Sequence, residues 1–250
     1  MKSKNPIFIS EEEHRKMTEK KLYLVAILGA LICFVGDNLL GYFVPSADFG
    51  NKLMCINFSY DWANVNPIRF VMAGLCGVIS LLMMFAGFYG LYTRIQKDKT
   101  MSKIYLFASF VFVSVGTLYH NVFAIAAYIY NRLVNDGFAN AKSLSLEVFN
   151  TFILVGAFAA LGYAVMVAVM FWEAIKGNVY PYKWMCIINP AFFMAICILL
   201  SKILPQTALV NGFFDLGQQS IGLFIVFFTL YFTCENKSCV KSFKFLVLKP

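Results

Sequence analysis

The sequence predicts an all-α fold: a polytopic transmembrane helical bundle of six spans, N-in and C-in. Three features predict it: the excess of apolar residues, their grouping into long blocks, and the uneven placement of Lys and Arg between blocks. Of the 250 residues, 60% are hydrophobic and 14% charged, with a mean hydropathy of +0.70. An ordinary soluble domain is about 25% charged. A water-soluble fold of this length needs a charged shell around its core, and this composition does not supply one.

The apolar blocks fall near 22–44, 68–93, 104–130, 148–172, 184–204 and 211–234. Each is close to or above the ~20 residues that a helix rising ~1.5 Å per residue needs to cross ~30 Å of hydrocarbon. Backbone groups in hydrocarbon bond within their own segment, and no block alternates with period two, so helices are the expected form. Residues 1–21 read as a charged cytoplasmic leader, 22–234 as the six-helix transmembrane domain, and 235–250 as a basic cytoplasmic tail that suits anionic headgroups. Within the leader, Ser10 and Glu13 have the spacing of a capping box, which predicts a short surface helix ahead of the first span. The long leader and the length of the first block argue against a cleaved signal peptide, so that block is expected to remain as a span.

Orientation follows from the basic residues, which accumulate on the cytoplasmic side of short loops. Sixteen of the 21 lie on one side: in the leader, at 94–103, at 176 and 183, and in the tail. The other side holds only Lys52, Arg69, Arg132, Lys142 and Lys202. Only an even number of spans puts both basic ends together. The net charge of +8 does not imply nucleic acid, because the bases sit between apolar blocks rather than on a soluble stripe. The expected partner is the lipid bilayer. Seven scattered cysteines without a CxxC pair read as small packing residues.

Ionisable groups inside hydrocarbon cost several kcal/mol and therefore raise a functional hypothesis first. Three stand out: Asp37, His120 and Asp215. Asp37 and His120 lie on helical stripes rich in small residues, and Asn211, Asp215, Gln218 and Gly222 follow helical spacing. Their neighbours Asn38, Asn121 and Gln219 complete the candidate ligand- or proton-binding set, and Asn150 is a further candidate. All three ionisable groups fall in the outer half of the predicted spans, so a shared, outward-facing pocket is expected, with His120 about 3–6 Å from a carboxylate. Two carboxylates and an imidazole suit a divalent ion in principle. Only His14 and His120 exist, which excludes a three-histidine zinc site, and neither a metal nor a cofactor is assigned.

Three classes of function stay open. The first is a non-enzymatic protein that binds, senses or transports a small molecule or ion through the polar pocket. The second is an intramembrane enzyme such as a metal-dependent lipid hydrolase, and the third a structural or partner-binding subunit. Polar contacts that merely hold helices together would use the same residues. Other features read more plainly. Asn189-Pro190 predicts a kink within the fifth span, Tyr60-Asp61-Trp62 an interfacial aromatic anchor, and Lys202 a snorkelling side chain. Asn57-Phe58-Ser59 matches a glycosylation acceptor, a frequent chance pattern.

Gly36-Asp37-Asn38-Leu39-Leu40, Ile68-Arg69-Phe70-Val71-Met72-Ala73-Gly74-Leu75-Cys76-Gly77 and Tyr119-His120-Asn121-Val122-Phe123-Ala124 resemble the marks of a family of uncharacterised bacterial integral membrane proteins. Asn211-Gly212 also resembles that pattern, whereas Phe214-Asp215 departs from it. The resemblance implies six spans in a bacterial plasma membrane and brings no known activity.

Overall fold

Helix ends, more than helix interiors, explain how these blocks fold. A computed structural model describes residues 11–51 and 56–234. The helices are α1 (Glu11–Gly41), α2 (Ile68–Arg94), α3 (Lys99–Asn135), α4 (Ala141–Thr151), α5 (Ile153–Ile175), α6 (Pro190–Ile203), the single turn α7 (Ala208–Val210) and α8 (Gln218–Thr233). A π-helical turn, Asn211–Leu216, joins α7 to α8. Four helices, α1, α2, α3 and α5, are long and apolar enough to cross a membrane, and the bent pair Ala208–Leu216 and Gln218–Thr233 makes a fifth if taken as one span.

Several boundaries depart from the sequence reading for identifiable reasons. Among the described residues α1 runs unbroken from Glu11 into the first apolar block, with no separate helix between them. The Ser10–Glu13 capping box and the basic tail lie outside the residues whose side chains are described. The fourth block divides at Phe152, so that 148–151 belong to α4 and the long helix starts at Ile153. Asn189-Pro190 starts a helix instead of kinking one. The Asn189 side chain accepts from the Ala191 N–H and proline occupies the first turn, where its missing N–H costs nothing. That start leaves α6 with 14 residues, shorter than the other apolar segments.

The helices form a ring in which α1 packs on α2 and α8, α2 on α3, α3 on α5, and α6 on α8. The Asn189 amide closes the ring by donating to the Val167 carbonyl of α5 at 3.2 Å. Large apolar side chains cover the outside, with Phe107 and Leu154 each 69% exposed. That inverted distribution suits a lipid solvent.

At one end, the cap end, a two-stranded hairpin (Gly50–Asn51 with Ile56–Asn57), a 3₁₀ turn (Tyr60–Asn64) and α4 roof the bundle. Their aromatic core joins Phe49, Phe58, Trp62, Tyr130 and Phe149, with Phe49 and Tyr130 centroids 4.7 Å apart. Trp62 is therefore buried, not an interfacial anchor. Outside this core Lys142 donates to Asp48 and to Tyr60, both at 2.7 Å, and the hydrogen bonds that Asp48 accepts from Lys142 and from the Tyr60 hydroxyl hold its carboxyl below its ordinary range. Asn150, instead of joining an interior pocket, pairs with Asn51 of the hairpin.

At the opposite, basic end, Arg94 bonds Glu19 of α1 at 3.0 Å, the Val179 carbonyl at 3.1 Å and the Leu230 carbonyl of α8 at 3.4 Å. Glu173, fully buried, accepts from Lys176 and Asn178. These charges are paired, as burial demands.

The last turn of α1 is held from three directions. Arg69 of α2 donates to the Leu39 carbonyl at 2.7 Å and to that of Asn38 at 3.2 Å, with its guanidinium 4.2 Å from the Phe43 ring. The Trp62 indole N–H donates to Leu40, and the Asn211 amide to Gly41 at 2.7 Å. A helix leaves its last carbonyls without intrahelical partners, and a cation at that end also meets the negative pole of the helix dipole. Arg69→Met removes two of these bonds, each worth about 1–1.5 kcal/mol or more where the donor is charged. The expected outcome is a lower melting temperature in detergent, with Arg69→Lys retaining part of the stability; an unchanged melting temperature for Arg69→Met would refute the capping role.

Candidate polar centre between four helices

Small residues let α1, α2 and α3 approach closely enough to place a carboxylate against an imidazole. On α1, Gly29 and Gly36 lie against α2, and a Cβ on Gly36 would sit 2.8 Å from the Cys76 Cβ. On α2, Gly77 has no side chain where the His120 ring lies, and any Cβ there would overlap the ring. Interfaces of this kind bring backbones together in apolar media.

Asp37 of α1 and His120 of α3 meet in that space, with His120 Nδ1 3.9 Å from Asp37 Oδ1. The other carboxylate oxygen, Oδ2, accepts from the Ser220 hydroxyl of α8 at 2.8 Å and from the Cys33 thiol at 3.8 Å. His120 Nε2 lies 3.1 Å from the Ala73 carbonyl of α2. A carbonyl only accepts, so Nε2 carries a hydrogen and Nδ1 is the nitrogen free to gain or lose one. The Nδ1–Oδ1 separation exceeds that of a direct hydrogen bond.

Proton counting then defines what the pair can do. With Nε2–H fixed, the deprotonated pair carries one negative charge. One added proton makes it net neutral, on Oδ1 as an acid or on Nδ1 as an imidazolium facing a carboxylate. At 3.9 Å the two groups are near enough to interact electrostatically.

The remaining candidates separate from this centre. Asn38 donates to the Phe34 carbonyl, and its buried Oδ1 has no hydrogen-bond partner among the described residues. Gly212 of the π turn lies against that oxygen, where a Cβ would come within 2.5 Å. Asp215 sits within the π turn, and its carboxylate makes no hydrogen bond or ion pair with any described residue; its carbonyl accepts from the Gln218 amide at 2.8 Å. Gln218 Oε1 is likewise buried without a partner. Gln219, half-buried, makes no hydrogen bond among the described residues. Asn121 bonds its own helix at Thr117 and lines a furrow on the outer surface between α2 and α3. The expected three-residue pocket is therefore a pair plus Ser220. Among the described residues no group of three or more His, Cys, Asp and Glu has the arrangement of a metal site.

Sequence reasoning passed over Ser220, Arg69 and Asn211 as functional contacts. Serine is common in apolar helices and gives no signal alone. Arg69 and Asn211 did carry one, since each stands within a segment of the noted resemblance. No match to the chain exists among curated proteins or among solved structures. One family model does match it, over residues 1–237, and the chain belongs to that family: DUF6796, a family of unknown function.

Proposed function

We propose that this protein is a proton-responsive bundle of a bacterial plasma membrane, with six apolar segments and both ends in the cytoplasm, in which Asp37 and His120 hold the functional proton. The proton is the ion that the predicted pocket binds. A single observation carries this reading: the Asp37–His120 pair touches four helices at once, through Asp37 on α1, the Ala73 carbonyl on α2, His120 on α3 and Ser220 on α8. The hydrolase reading loses support because Asp215 does not join the pair.

The site is also wired to a break in a helix. The Ser220 oxygen lies 2.8 Å from Asp37 Oδ2 and 2.9 Å from the Gly217 carbonyl, yet the hydroxyl has one hydrogen to give. With the carboxylate ionised, the bond to Oδ2 is charge-assisted and roughly twice as strong as a neutral one. Protonating the carboxylate itself weakens it and turns the hydroxyl toward Gly217, the junction at which the π turn and α8 are bent by 56°. Proton uptake thereby biases the bend, the kind of bistable element through which a local charge change gains a global effect.

Orientation is checked by single-cysteine labelling in a cysteine-free background. Cysteines at Ser46 and Ser143 are expected to react from outside intact cells, and those at Ser102 and Ser238 only after permeabilisation; the reverse pattern would overturn the placement. For the proton centre, infrared difference spectra across pH are expected to give one carboxyl transition in the purified protein. Asp37→Asn removes it and His120→Gln moves its midpoint. Retention of the same transition in both variants would refute the shared site. For the coupling, hydrogen exchange of residues 208–217 is expected to change across that transition. Ser220→Ala leaves the transition in place while flattening the exchange response, and an undiminished response would separate the proton from the bend.

A further inference from the structure

A second feature lies beside the proton centre, about 100° further round α3 and against the same helix, α2, with Asn121 over Gly74 where His120 lies over Gly77. Asn121, Ile125 and Tyr128 share one face of α3 at i, i+4 and i+7, and with Phe70, Val71, Gly74 and Leu75 of α2 they border a furrow of about 250 Å³. The floor is formed by Phe70, Gly74 and Ala124, all buried, together with Asn121. The rims are Val71 and Leu75 on one side and Ile125 and Tyr128 on the other, between 39% and 50% exposed. Gly74 keeps the floor open, because a Cβ there would sit 2.8 Å from Asn121 Oδ1.

The asparagine is the informative residue. Its amide nitrogen donates to the Thr117 carbonyl at 2.9 Å, while its oxygen accepts no hydrogen bond from any described residue and borders the furrow. An amide oxygen facing hydrocarbon without a donor costs free energy, so the furrow asks for an occupant that brings one. The acyl chains of a phospholipid have no such group. A second copy of this chain offers its own Asn121 amide, but that group lies on a furrow floor behind the same apolar rims, which hold two such floors apart. A slender molecule does reach the floor.

We infer that the furrow between α2 and α3 binds a single-chain amphiphile whose head is an O–H donor, such as a long-chain alcohol or undissociated fatty acid, with the head on Asn121 Oδ1 and the chain between the apolar rims. Gly74 lies six residues, or ~9 Å, into α2, a depth that a small neutral head tolerates and a charged one does not. This inference rests on the membrane placement above and is independent of the Asp37–His120 centre.

Photolabelling tests it in phosphatidylcholine nanodiscs, with a diazirine-bearing fatty alcohol and the diazirine alkane of equal length. The alcohol is expected to label 70–75 and 121–128 in preference to the rest of the apolar surface, and unlabelled alcohol to compete. The alkane should show no such preference. Asn121→Leu is expected to reduce furrow labelling about tenfold, the equivalent of one hydrogen bond of about 1.4 kcal/mol. Gly74→Ala, which displaces Asn121 Oδ1 with little other change, is expected to reduce it as well and serves if Asn121→Leu does not fold. Equal labelling by both probes, or labelling unaffected by either variant, would overturn the inference. So would efficient disulfide formation between two copies through a lone cysteine at Ile125. Absence of labelling on every helix by both probes would instead overturn the membrane placement.

Discussion

The carbonyl groups that end α1 are the constraint around which the cap end is built. A helix that stops inside an apolar bundle exposes acceptors that water would satisfy in a soluble protein. Here the donors come from three separate places in the chain: Arg69 at the start of α2, Trp62 in the 3₁₀ turn and Asn211 in the π turn. Each contact fixes an element that has few other polar ties. Trp62 is in turn held by Asn131 of α3, whose amide bonds the Trp62 and Val65 carbonyls at 2.6 and 2.9 Å. The aromatic roof packs on the same tryptophan. Asp37 lies one residue before the first capped carbonyl, so the cap that ends α1 also fixes the depth and direction of the carboxylate.

Close approach is the second half of the same arrangement. A histidine ring fits between α2 and α3 only because residue 77 is glycine, and α1 reaches α2 through Gly29 and Gly36. These contacts trade side-chain burial for backbone proximity, which is the effective exchange where lipid tails compete equally for apolar surface. They also leave the polar atoms of Asp37, His120 and Ser220 as near neighbours inside the bundle. In such surroundings charges interact more strongly than they would at a surface, since solvent screens them less.

Much of this was legible in the sequence, and the exceptions have physical causes. The long apolar helices and the pairing of Asp37 with His120 follow from block length and small-residue stripes. The fate of Asp215 does not, because the stripe from Asn211 to Gly222 assumes a regular α-helix. A π turn adds a residue to the turn and Gly217 bends the axis, so residues at i, i+4 and i+7 no longer share a face. Asn121 misleads for a related reason. It adjoins His120 in sequence, but one residue turns a helix by about 100°, which moves it from the interior to the outer edge of the α2–α3 contact. Asn189-Pro190 is read correctly as a break in regular structure and wrongly as an interior one, since proline is as well suited to a first turn as it is disruptive in the middle of a helix. Trp62 resembles an interfacial anchor until the carbonyl of Leu40 is known to need its N–H.

The two ends of the bundle differ in the kind of bond that closes them, and this bears on where movement can occur. At the basic end a buried ion pair, Glu19 with Arg94, ties α1, α2, α8 and the Val179 segment together. Separating such a pair leaves an unpaired charge, so this end resists opening. At the cap end Arg69 and Trp62 also hold the end of α1, but the upper part of the broken helix is tied to it through the neutral Asn211 amide, whose bonds to the Gly41 and Phe43 carbonyls exchange partners at lower cost. Between them lie Gly217 and Ser220, next to two buried side-chain oxygens, on Asn38 and Gln218, that no donor among the described residues satisfies. An alternative arrangement of the π turn that supplied donors to these oxygens would offset part of the cost of moving it. A stiff ionic base, a looser capped end and a titratable pair at the junction together make the short segment from Ala208 to Gly217 the part of the fold in which a single proton has the most leverage.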